Sequence, residues 1–87
     1  MKKLESFREE IDTIDSKMKD LFLSRMKIVK KIKNIKKEHN LSILDKDREK
    51  KLFKKNFSSW NSEVPLEFYR DFLIKVVELS KEYQKWI

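Results

Sequence analysis

The chain has 87 residues, with no glycine, no cysteine, one proline and one histidine, and its 22 Lys and Arg outnumber its 15 Asp and Glu for a formal charge of +7. That length allows a single domain, residues 1–87, and a domain this small buries only roughly 60–65% of its unfolded surface, which favours a partner or a second copy. The missing residue types argue against P-loops, dinucleotide fingerprints and tight primed hairpins, and exclude disulfides, thiol nucleophiles and cysteine zinc sites. A single histidine argues against a histidine metal cluster or a Ser-His-Asp triad, so no metal site is expected.

The first element runs over about 4–37. Leu4, Phe7, Ile11, Ile14, Met18, Leu21, Ile28, Ile32 and Ile35 follow one another at spacings of three and four, apart from one slot held by Arg25. Phe22 and Val29 widen that stripe on one side. No glycine or proline interrupts it, so the pattern predicts one continuous helix, about 50 Å long at 1.5 Å per residue. A compact globule of this chain length is only about 30 Å across. The helix therefore overhangs a monomer with its stripe exposed, and dimerisation along it is the natural remedy.

Residues 38–44 break the pattern and read as a connection. Asp45 is placed to cap a second helix over about 46–57, with Leu52, Phe53 and Phe57 inward. Residues 58–64 are polar and loop-like. Pro65 suits the first turn of a third helix over about 65–86, with Leu66, Tyr69, Phe72, Leu73, Val76, Val77 and Tyr83 on its inner side. The fold class is all-α, three helices in the order long, short, long.

The charge is concentrated. Residues 25–37 carry seven cations and no acid, whereas residues 1–24 are net −1 and residues 38–87 net +1. Nucleic acid, an acidic surface or a small polyanion would each suit such a stretch. It lacks interleaved aromatic residues, and Arg25 and Lys36 lie on its apolar side, which argues against a nucleic-acid binder. Lys27, Lys30, Lys31, Lys33 and Lys37 read as solvated surface. The opening residues turn charged before any apolar segment forms, so they are not an export signal, and no run is long enough to span a membrane. The expected location is the cytoplasm.

Polar residues on apolar faces point to chemistry. Arg25 interrupts the stripe, and Lys36, 11 residues on, is rotated from it by only about 20°. Arg8 lies 17 residues before Arg25, about 25 Å along the axis, so it does not easily share a pocket with Arg25 of its own helix, whereas an Arg8 carried in by an antiparallel second copy can. Asp45, Arg48 and Glu49 share a face of the second helix, and Ser80 and Gln84 share the inner stripe of the third. Buried cations need an anion to neutralise them, and arginine suits carboxylates. Asp45 and Glu49 can accept from a hydroxyl, while Lys36 and Gln84 can donate to an ether or carbonyl oxygen. The guest these groups describe is small, with one or two carboxylates and a hydroxyl.

In this ordered set the chain resembles the all-helical class of chorismate mutase. The matching pieces are Arg8 to Asp15, Leu21 to Arg25, Lys36, Asp45 to Glu49, and Ser80 to Gln84. The resemblance implies an intertwined homodimer that rearranges chorismate to prephenate on the way to phenylalanine and tyrosine, without a cofactor. It implies Lys36 and Gln84 as the catalytic pair. Arg25, Asp45, Arg48, Glu49 and Ser80 would bind substrate, and Arg8 would enter from the partner subunit. Alternatives within the fold are an isochorismate pyruvate-lyase type of enzyme and a non-catalytic or regulatory module. Association with another shikimate-pathway enzyme stays open; neither nucleic acid nor membrane is expected as a partner.

Overall fold

The computed structural model describes residues 1–87 and consists of three helices with no strand: α1 (Lys2–Glu38), α2 (Lys46–Phe57) and α3 (Leu66–Trp86). The order is long, short, long, as the periodicity predicts. The molecule measures 56 × 28 × 15 Å, and its long dimension is the roughly 55 Å that the 37 residues of α1 span at the helical rise. The radius of gyration is 16.6 Å, against about 12 Å for a compact chain of this length.

Helix α3 is the hub. Both α1 and α2 pack on it, and they do not pack on each other. Only Val29, Leu73 and Val77 form a buried apolar core, and the two other buried residues, Ser80 and Gln84, are polar. The contact with α3 falls on one flank of the α1 stripe. Val29 is buried, Arg25, Met26, Lys33 and Lys36 are half-buried, and the stripe residues Ile28, Ile32 and Ile35 stay exposed. Every residue from 1 to 24 is exposed. Phe72, expected on the inner side of the third helix, is 49% exposed because nothing within the chain covers its end of α3 beside Leu21 and Phe22.

The helix ends are set by local chemistry. α1 closes in a Schellman arrangement in which Leu41 N–H donates to Lys36 O at 2.7 Å and Asn40 N–H to Lys37 O at 3.3 Å. Asn40 takes the left-handed position (φ 53°) that a glycine usually fills, and asparagine tolerates it. Asp45 caps α2, its Oδ1 accepting from Arg48 N–H at 3.0 Å. Pro65 sits one residue outside α3 rather than in its first turn. Its extended ψ of 140° makes it the N-cap, and its carbonyl accepts from Phe68 N–H. The connection between α2 and α3 is pinned by Trp60, which stacks on Tyr69 at 5.4 Å and donates Nε1–H to Val64 O. No helix is long and apolar enough to cross a membrane.

Candidate functional site

Ser80 and Gln84 are buried because they lie one and two turns beyond Val76 and Val77 on the face of α3 that meets α1. They form the floor of a cavity of about 330 Å³. α1 supplies Arg25, Val29, Ile32 and Lys36 to its wall; α2 and its cap supply Asp45, Arg48, Glu49 and Leu52. Seven of the eight polar residues singled out by spacing line this one cavity. The eighth, Arg8, is on the exposed first third of α1 and does not reach it. Two other hollows are larger, at about 600 and 580 Å³, but neither gathers that set.

Bonds within the cavity orient the cations. Arg25 Nη1 donates to Ser80 Oγ, and the Ser80 hydroxyl donates in turn to Val76 O at 2.8 Å. Ser80 thus ties the Arg25 guanidinium to the backbone of α3. Burial holds the Arg25 guanidinium below its usual range, and the positive charge of Arg48 pushes it the same way. A lowered value in a cation means that folding disfavours its charged form. That cost is present at every pH below the folded value, including the whole neutral range, so an anion relieves it and an ordinary pH change does not.

Lys36 Nζ donates to Ile43 O at 2.8 Å, folding the connection after α1 back over the cavity. An ammonium has three donors, so two remain. Gln84 Nε2 makes only a long bond of 3.4 Å to Ser80 O, and Gln84 Oε1 is buried with no hydrogen-bond partner in the chain. Buried amide groups are normally satisfied, so Gln84 Oε1 is the one buried side-chain acceptor left open in the chain.

Lys81 also lines the cavity, although it was not singled out from the sequence, and its Nζ pairs with Glu49 Oε1 at 3.1 Å. The signal was present in its spacing, four residues after Val77 and three before Gln84, but a lysine one position after Ser80 reads as ordinary surface. Arg25, Lys36, Arg48 and Lys81 face Asp45 and Glu49, so the cavity carries a surplus of two positive charges. No cluster of His, Asp and Glu suited to a metal ion occurs. The arrangement can hold a small dianion and present hydrogen-bond donors to a neutral oxygen on it.

Comparison with known proteins agrees in kind. Residues 7–85 match the family described as chorismate mutase type II. The curated proteins and the solved structures gave no match. The family match runs through all three helices and takes in all eight of the polar positions, and on that ground the chain belongs to the chorismate mutase type II family.

Proposed function

We propose that the chain is a cofactor-free chorismate mutase, converting chorismate to prephenate for phenylalanine and tyrosine synthesis, and that it works as a homodimer in the cytoplasm. The observation that carries this reading is the convergence of Arg25, Lys36, Asp45, Arg48, Glu49, Ser80 and Gln84 on one cavity with a surplus of two positive charges. Chorismate is a flexible dicarboxylate with a ring hydroxyl. It reacts only from a chair-like conformer that brings the two ends of the forming C–C bond together. Arg25 and Arg48, joined by Arg8 of the second copy, hold the two carboxylates and select that conformer, which removes much of the entropic part of the barrier. Glu49, with Asp45 beside it, accepts from the ring hydroxyl.

In the transition state the ether C–O bond breaks ahead of C–C bond formation, and negative charge gathers on the ether oxygen. Lys36 spends one of its three donors on Ile43 O and keeps two. Gln84 gives up its long bond to Ser80 O for the same oxygen. Fixed donors aimed where charge develops stabilise the transition state more than the ground state. No proton is transferred and no covalent intermediate forms.

The dimer is supported by area. A folded monomer of this mass exposes about 5,500 Å², while this chain exposes 7792 Å². The excess of about 2,300 Å² is on the scale of obligate homodimer interfaces. Single-domain organisation over 1–87 and the entry of Arg8 from the second copy belong to the same proposal.

The test is loss of chorismate absorbance with pure protein, repeated on Lys36→Ala and Gln84→Ala and run in parallel with isochorismate. Each variant should lose ~10²-fold or more in kcat. Wild-type rates in both variants would sink the mechanism. Pyruvate release from isochorismate outpacing prephenate formation would replace the reaction with the lyase alternative.

A further inference from the structure

The chain has two ion pairs. One joins Lys75 to Glu78 along the exposed surface of α3, and the other crosses from Lys81 on α3 to Glu49 on α2 inside the cavity. The second involves a lysine with no role in the proposed mechanism. Both of its side chains are largely sheltered, at 30% and 23% exposure, so the pair is screened less than a surface bridge.

Glu49 shares its cavity with two guanidiniums, Arg25 and Arg48. A carboxylate free to swing there would pair with one of them, because Arg–carboxylate pairing is strong and directional. It would then neutralise a charge meant for the substrate. The structure shows Glu49 on Lys81 instead, through Oε1. That leaves Oε2 as the oxygen able to accept from a hydroxyl, and leaves both guanidiniums without a carboxylate partner.

We propose that Lys81 is a positioning residue for Glu49: it draws the carboxylate off Arg25 and Arg48 and fixes its second oxygen for the ring hydroxyl of the substrate. The proposal rests on the mutase reading and deepens it. A hydroxyl contact present in both ground and transition states acts on binding, so its loss appears in KM more than in kcat.

The experiment is steady-state kinetics with chorismate on wild type, Lys81→Met, Lys81→Arg, Glu49→Gln and the double variant Lys81→Met/Glu49→Gln, with thermal melting by circular dichroism to confirm folding. Lys81→Met should raise KM about ten-fold, the scale of a charge-assisted hydrogen bond, with kcat within about three-fold. Lys81→Arg should restore a KM near that of wild type. In the Glu49→Gln background, Lys81→Met should add nothing, because its partner is gone. A wild-type KM in Lys81→Met overturns the proposal, as does an equal KM rise in both backgrounds. A fall in kcat at unchanged KM, persisting without Glu49, would place Lys81 on the reacting atoms and overturn positioning. Absence of chorismate turnover in wild type would sink the mutase reading and this proposal with it, whereas normal wild-type turnover without the coupling removes this proposal alone.

Discussion

Along α1 the same apolar spacing runs from Leu4 to Ile35, yet the two parts of the helix have different surroundings. Residues 1–24 touch no other helix closely enough to bury a single side chain, whereas beyond Arg25 one flank meets α3 and carries the cavity. The folded side of the molecule is organised around polar groups, with Ser80 and Gln84 as well buried as Val29 and Leu73. The bare side is organised around large apolar groups with nothing against them, among them Phe7 at 55% and Ile11 at 54% exposure. One chain thus gathers the candidate site on one side and leaves an uncovered apolar stripe on the other.

Charging the bare side is the harshest way to break this contrast. Ile14 is 50% exposed, and a surface change of that kind in a self-sufficient monomer shifts stability by only about ±0.5 kcal/mol. If a second copy covers it, Ile14→Lys should abolish the dimer and, with it, cooperative melting and activity. Sedimentation and circular dichroism decide, and a well-folded active variant would show that the stripe is not an interface.

The next effect sharpens the contrast by asking whether the two sides meet across copies. Arg8→Ala and Lys36→Ala should each lose ~10²-fold or more. After mixing and refolding, one site of each heterodimer holds an intact Lys36 and an intact Arg8. Activity should then return to about a quarter of wild type, as random pairing of a two-fold dimer requires. No recovery would place Arg8 outside the site.

A smaller effect addresses the folded side alone. A chair-shaped dicarboxylate that mimics the transition state should raise the melting temperature by about 10 °C at a hundred-fold excess over its Kd. Much of that shift should vanish in Arg25→Ala, since relief of the Arg25 and Arg48 repulsion is part of its source. An undiminished shift in Arg25→Ala would point to binding elsewhere. Smallest of all should be the response to pH. Gln84 donates at any pH, and the residue types of the candidate set do not ordinarily titrate near neutrality. Activity between pH 6 and 8 should stay nearly flat, and a steep rise toward acid would contradict that assignment.

Much of this was legible in the sequence. The length of α1 follows from three-and-four spacing that no glycine or proline breaks, and Asp45 announces the start of α2. The polar set is legible because Arg25, Lys36, Ser80 and Gln84 occupy slots that an apolar residue would fill. What could not be read is set by contacts between elements. The flank of α1 that meets α3, centred on Val29 and not on the middle of the stripe, depends on how two helices cross. The Lys81 to Glu49 pair joins residues 32 apart, whose register is fixed by packing between α2 and α3. Asn40 in the left-handed position was hidden for another reason, since the usual marker there is glycine and the chain has none.

The surplus of two positive charges in the cavity has a consequence for release. Prephenate is an isomer of chorismate and keeps both carboxylates, so on the proposed reading attraction to Arg25 and Arg48 holds the two alike. What differs is the ether oxygen that the proposal assigns to Lys36 and Gln84, which the rearrangement converts to a ketone, and the shape of the ring. Release of product on that reading comes through lost fit and not through lost charge. Competitive inhibition by prephenate, easing as salt is raised, is the expected signature in full progress curves.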